Sequence, residues 1–449
     1  MDPLTLGIIG LASMLALVAL RVPIAFGMGL VGFLGTIVAI GWRPGREFDF
    51  ERGFKAAFSF MQFEPYSFVA SFPIIAVPLF LMMGYVAFHA GFTKDIYYTA
   101  RVWLSRLNGG LAIASVAGCA MFAAVSGSSL ATAAAMGKLA VPEMLRYKYD
   151  KGLATGVVAA SGTLGSLIPP SILMVLYGIF TEESIGQLLL AGLIPGFLSA
   201  LVYAAMIWVR AAINPELAPR VEAVSWGERF RALKGTWSII VLFILVMGGI
   251  YAGIVTPTEA AAVGCAGAWG LGFLARRLDR RKAKLASIET AKQVASVFAL
   301  VIGAKIFVGF IALTGVAGAL TELAAALGDV HPFWIILSLS VVYIVLGTFI
   351  DPLGLMLLTL PVVVPVVENL GYDLIWFGVI MIKLLEIGLI TPPVGLNVYV
   401  LKGVVGDKVP LEKIFAGILW FLLMDVLTLV ILIMYPQISL WLPQAMLGG

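Results

Sequence analysis

Two stretches of the chain, 223 positions apart, carry one pattern: SGSSLATAAAMGKLAVPEM (126–144) with GTLGSLIPPSI (162–172), and TFIDPLGLMLLTLPVVVPVV (348–367) with EIGLITPPVGL (386–396). Without a gap, Pro142 falls on Pro365, Tyr149 on Tyr372, Asp150 on Asp373, Gly165 on Gly388, and Pro169-Pro170 on Pro392-Pro393 (392 − 169 = 223). The chain therefore contains an internal duplication, and each copy places a polar break inside apolar sequence. An unwound stretch in lipid is costly unless its freed N–H and C=O groups find partners. Paired breaks that face each other around a solute near the bilayer midplane are the architecture of secondary transporters.

Hydrophobic residues make up 61% of the 449 positions and charged residues 12%, too few charges to cover a soluble body of this size. Full crossings are expected over 4–22, 24–41, 70–91, 152–180, 185–209, 236–254, 257–275, 291–314, 375–402 and 411–434. Segments 109–142 and 332–365 are interrupted at SGSS and TFIDP, and each reads as a re-entrant helical hairpin. The fold class is an all-α polytopic membrane protein of the inverted-repeat secondary-transporter type. It forms a single domain over 1–449, with repeats at about 1–210 and 227–434. No cleavable signal peptide is evident, because no basic stretch precedes the apolar residues 4–20. Cys119 and Cys265 sit among small apolar residues and read as inert thiols. His89 and His331 are the only histidines, which excludes a His-rich metal site.

Loop charge gives the sidedness. The loop after the first hairpin, 143–151, carries Arg146, Lys148 and Lys151; its counterpart 366–374 carries Glu368 and Asp373 and no base. Lys94, Arg101 and Arg106 precede the first hairpin, whereas 315–331 has no base. The run RRLDRRKAK (276–284) and the cluster Lys402, Lys408 and Lys413 are basic, and 435–449 is uncharged. Basic loops face the cytoplasm, so the hairpins open to opposite sides. An odd number of crossings between them agrees. The stretch 42–55, of mixed charge, falls on the outer side in this scheme and fits it least well.

The breaks offer hydroxyls and free carbonyls, the ligands a hard monovalent cation prefers, while half-helix N-termini suit an anion. Ser126 to Ser129 form a flexible tip, and Gly162, Thr163 and Gly165 precede two prolines that cannot continue a helix. Thr348, Asp351, Gly388 and Thr391 repeat the theme with one carboxylate added. Lys383 and Glu386, three apart, are placed either to neutralise each other or to let Lys383 contact substrate. Lys305 and Asp425 lie within expected spans, where pairing, snorkelling or subunit contact is required. Lys138 reads as a cytoplasm-facing charge, and TPTEAA (256–261) as helix-start chemistry.

The runs SGSSLATAAAMG, GTLGSLIPPSI, AGLIPG, TPTEAAAVG, LGTFIDP, WFGVIMIK and EIGLITPPVGLNVYV resemble the large permease subunit of tripartite ATP-independent periplasmic (TRAP) transporters over nearly the whole chain. The resemblance implies Na⁺-coupled uptake of an organic acid, usually a carboxylate, across the bacterial inner membrane. It implies two partners, a small four-helix membrane subunit and a periplasmic substrate-binding protein, with this chain as the unfused form. It also implies an elevator in which hairpins and broken helices move against a scaffold. Carried onto this sequence, one Na⁺ site falls on Ser126, Ser128, Gly162 and Gly165. The other falls on Thr348, Asp351, Gly388 and Thr391. The substrate is assigned to Ser129, Thr132, Pro169, Pro393, Asn397 and Lys383, although Lys383 stands where a neutral residue is expected. No cofactor beyond the coupling ion is implied.

Two other functions compete with this reading. A stand-alone organic-anion symporter of the same superfamily would need no binding protein. An intramembrane serine protease would need an activated nucleophile with a base beside it, and no GxSxG run is present. No GxxxxGK[ST] stretch occurs, so this chain does not itself bind ATP through such a loop.

Overall fold

The computed structural model describes residues 2–42, 47–221, 224–326 and 332–447, and among these every regular element is helical. Parts of the stretches 42–55 and 315–331, including His331, lie outside the described residues; the described part of 315–331, expected as a loop, is mostly helical. The chain opens with α1 (Pro3–Ala19), α2 (Ile24–Gly41), α3 (Phe50–Val69), α4 (Ala76–His89) and α5 (Phe92–Leu104). Next come α6 (Gly110–Ser126) and α7 (Ser129–Arg146), then a helix broken into α8 (Lys151–Gly162), α9 (Leu164–Leu167) and α10 (Ile172–Thr181). The long α11 (Ile185–Ile213) closes the first half.

In the second half, α12 (Trp226–Phe243) runs through a π turn into α13 (Gly249–Tyr251), followed by α14 (Pro257–Leu274), α15 (Arg280–Thr314) and α16 (Val316–Ala326). Then come α17 (Pro332–Gly347), α18 (Pro352–Asn369), α19 (Leu374–Ile390), α20 (Leu396–Val405), α21 (Leu411–Met434) and α22 (Gln437–Leu447). Among the described residues, seven helices are long and apolar enough to cross a membrane, or eight with one bent pair counted as a span.

The duplication reappears in the helix boundaries. α7 and α18 begin and end at the same 223-residue offset, and so do the starts of α8 and α19. The cause is capping. A side-chain oxygen at the N-cap satisfies backbone N–H groups that have no partner within the helix. Asp150 accepts from Leu153 N at 2.9 Å, and its equivalent Asp373 accepts from Ile375 N at 2.8 Å and Trp376 N at 3.0 Å. Ser128 caps α7 through Ala131 N at 3.5 Å, and its equivalent Asp351 caps α18 through Gly354 N at 2.9 Å. The TPTEAA run forms a reciprocal capping box between Thr256 and Glu259 at the start of α14, as its composition indicates.

Several expectations need adjustment. The expected 70–91 crossing contains the turn Pro73–Ile75 and α4, and it is long and apolar enough to span only together with α3, from which it is bent by 62°. On α3, Phe50, Phe54 and Phe58 are exposed and stack along one face, with Glu51, Arg52 and Lys55 between them. Such an amphipathic helix suits a membrane interface. The helix that holds the 291–314 crossing starts earlier, at Arg280, so part of the basic run belongs to α15. The uncharged tail is the helix α22.

Two apolar clusters build the core. One joins α4, α10, α15, α18 and α19; the other joins α6, α7, α8, α11, α20 and α21. The two breaks lie where these clusters meet.

Candidate functional site

The link between α6 and α7 is two residues long. Gly127 takes φ +60°, a left-handed conformation that glycine adopts without steric cost. A Cβ at this position would fall 2.7 Å from the Pro170 carbonyl oxygen, so the tip rests directly on the first break. The backbone confirms the contact: Ile172 N donates to Gly127 O at 3.3 Å. Both Pro-Pro bonds, Pro169-Pro170 and Pro392-Pro393, are cis.

Gly165 and its equivalent Gly388 carry the closest approaches. A Cβ on Gly165 would sit 2.7 Å from the Ser128 carbonyl oxygen, and one on Gly388 would sit 2.6 Å from the Gly347 Cα. Each break is thus pressed against the tip of its own copy. This brings together Ser128 with Gly165, and Gly388 with the residue before Thr348.

The hydroxyls are held in place. Ser126 and Thr132 share a hydrogen bond of 2.8 Å, and Ser129 and Ser166 share one of 2.7 Å. Thr348 donates to Val345 O at 2.8 Å and Thr391 to Ile387 O at 2.6 Å. A hydroxyl that donates to its own helix keeps its oxygen lone pairs available to a cation.

Both tips open on one cavity of about 330 Å³. The first tip contributes Gly127, Ser128 and Ser129, and the second contributes Asp351 and Pro352. Ser166 and Glu386 come from the two broken helices, and Gln293, Ser296, Val297 and Leu300 from α15. An adjoining cavity of about 350 Å³ shares Ser128, Leu130 and Gln293 and adds Ser126, Lys138 and Glu289. Glu289 is paired there with His89 at 2.9 Å.

Other assigned residues lie off the cavity. Gly162 packs on Ala133. Thr132 and Pro169 are buried, Pro393 is exposed, and Asn397 donates to Ala159 O at 3.1 Å. Lys383 and Glu386 do not neutralise each other. Lys383, 1% exposed, instead donates to Asp425 at 2.5 Å and Ser199 at 3.2 Å, and Tyr203 donates to the same Asp425 oxygen at 2.5 Å. The reason is direction: Lys383 points towards α11 and α21, and a partner 42 positions away satisfies it better than one on its own helix. Lys305 lies 4.8 Å from the Phe68 ring centre and 4.7 Å from that of Phe180, a cation–π arrangement. Cys119 and Cys265 are buried and free.

Sequence reasoning missed Ser166, Gln293 and Ser296 as lining residues. Gln293 and Ser296 are three apart at the start of an apolar run, so they share a helix face, and that spacing was the available signal. At the far end, Glu183 lies between α10 and α11 beside Lys305, Glu64 and Glu182. Partial burial, and then the Asp373 and Glu368 carboxylates, push its pKa above the ordinary glutamate range.

Apolar helices long enough to span, a duplicated unit with two breaks, and a cavity that joins the two tips define a polytopic membrane transporter. A solved structure titled for the Alcanivorax borkumensis YdaH transporter has the same fold, with a TM-score of 0.61 at 16% identity, over 99% of this chain and 100% of that one. The chain belongs to the family described as "Tripartite ATP-independent periplasmic transporter, DctM component", which matches residues 11–438. It is therefore a TRAP large permease subunit. It is 35% identical to a C4-dicarboxylate TRAP transporter large permease protein of Pseudomonas aeruginosa, over 83% of this chain and 86% of that protein. It is 33% identical to a sialic acid TRAP transporter large permease protein of Vibrio cholerae, over 85% and 88% respectively.

Proposed function

We propose that this chain carries an organic acid into the bacterial cytoplasm with Na⁺, as the permease of a tripartite system. A periplasmic binding protein delivers the substrate, and a small membrane subunit completes the complex in the inner membrane. The observation that carries this reading is the shared cavity: two tips, the two broken helices and one face of α15 line a space large enough for a small solute. Na⁺ fits the donor set, because the breaks supply hydroxyl oxygens, exposed carbonyls and the Asp351 carboxylate. One site is assigned to Ser126, Ser128, Gly162 and Gly165, and the other to Thr348, Asp351, Gly388 and Thr391. The Na⁺ gradient supplies the driving force, and occupancy of both sites holds each tip against its break.

In this reading α6–α7 and α17–α18 are re-entrant hairpins opening to opposite sides, the halves are inverted, and the body they form moves as an elevator past α15. In this reading the adjoining cavity, lined by Lys138 and Glu289, is on the cytoplasmic side. Uptake into proteoliposomes containing the membrane subunits and a loaded binding protein, under an imposed Na⁺ gradient, tests the proposal. Transport of an organic acid is expected only with Na⁺ outside and binding protein present. Equal uptake with K⁺ alone refutes the coupling. Equal uptake without binding protein makes the chain a stand-alone symporter.

A further inference from the structure

Glu386 is a buried carboxyl group that the two Na⁺ sites above do not use. It lies on α19 at 1% exposure, at the edge of the cavity between the tips. Neither carboxyl oxygen has a hydrogen-bond partner of normal geometry. The Ser129 and Ser166 hydroxyls stand beside it and are bonded to each other at 2.7 Å. The base one turn away, Lys383, is engaged with Asp425, itself 1% exposed. No Lys, Arg or His is among the described residues lining this cavity. In its ionised form Glu386 adds one negative charge that the Lys383–Asp425 pair does not compensate. Such a buried carboxyl takes either a proton or a cation as its partner.

We propose that Glu386, Ser129 and Ser166 form a further cation site, separate from those at the two breaks, which takes a dehydrated monovalent cation, Na⁺ in the working transporter. One carboxylate balances one positive charge, so a divalent ion would leave an excess. Two hydroxyls add neutral oxygens of the kind hard cations prefer. The three residues come from three separate segments: Ser129 from the first tip, Ser166 from the first break and Glu386 from the second broken helix. An ion there bridges the two copies, whereas the sites at the breaks each lie within one. Its binding is therefore coupled to closure of the first tip, because displacing Ser129 removes a ligand.

This inference rests on the reading of the cavity as the solute site, but its test needs no transport. Equilibrium binding of radioactive Na⁺ is measured on the purified membrane complex without substrate, with Li⁺ and K⁺ as competitors. Wild type is expected to bind one Na⁺ more per chain than Glu386→Gln. The Hill coefficient for Na⁺ should fall correspondingly in the variant. Ser166→Ala removes one oxygen and adds no volume. It should keep the full count but weaken one binding event about tenfold, the loss expected for one bond to a charged group. This second variant decides the matter if Glu386→Gln fails to fold. Equal Na⁺ counts in wild type and Glu386→Gln, or unchanged affinity in Ser166→Ala, would mean that Glu386 carries a proton instead, and would overturn the site. Absence of any Na⁺ binding in wild type would overturn both this site and Na⁺ coupling.

Discussion

Asp351 has two separable duties, and its repeat partner shows how to separate them. Its carboxylate accepts from Gly354 N at 2.9 Å and so caps α18. It also lines the cavity as the carboxylate of the second tip. Ser128 occupies the equivalent position and caps α7 with a hydroxyl. Asp351→Ser therefore keeps a capping oxygen and removes the charge, while Asp351→Ala removes both. Loss of an N-cap costs about 1 kcal/mol. Loss of a charge-assisted ligand costs about 1.5–3 kcal/mol, which is roughly 10- to 100-fold in Na⁺ affinity. Thermal unfolding in detergent should thus place Asp351→Ser near wild type and Asp351→Ala below it. The Na⁺ concentration for half-maximal uptake should rise by the same 10- to 100-fold in both. A wild-type Na⁺ dependence in Asp351→Ser would refute the ligand role and leave Asp351 as a cap alone.

Breaking the Lys383–Asp425 pair from either side should be severe. Lys383→Met or Asp425→Leu alone leaves a buried partner uncompensated and is expected to cost about 3–5 kcal/mol, with most of it restored in the double variant; thermal unfolding of all three reads this directly. Glu183, raised by burial and by Asp373 and Glu368, gives a pH dependence of definite sign. Above its raised folded-state range the ionised group disfavours the folded state, and protonation as pH falls through that range relieves the cost. Glu183→Gln should therefore be more stable than wild type at neutral pH, and the difference should shrink on acidification; a growing difference would contradict the assignment. Lys148→Cys and Glu368→Cys, both at exposed positions, in a background lacking Cys119 and Cys265, should label from opposite sides of the membrane. Labelling from one side would overturn the inverted arrangement.

The duplicated segments were legible in the sequence because their boundaries are set locally. Asp150 and Asp373, and Ser128 and Asp351, stop and start helices through bonds that reach only two or three residues. The same locality made the breaks visible, since two prolines end a helix wherever they fall. Partners distant in the chain were not legible. Lys383 has a carboxylate three residues away, yet its partner is on α21, a choice set by how three helices pack. Helix α3 was missed for another reason. Its charges exclude it from the expected crossings, and only the period of Phe50, Phe54 and Phe58 marks it as a helix with one oily face.

The substitution of carboxylate for hydroxyl at one cap position has an electrical consequence. A helix start asks only for an acceptor oxygen, so serine and aspartate serve it interchangeably. This position can therefore differ in charge between the two copies without disturbing either helix start. The copies share their geometry at this point and differ in electrical character, so a cation meets one tip as a neutral oxygen and the other as a carboxylate.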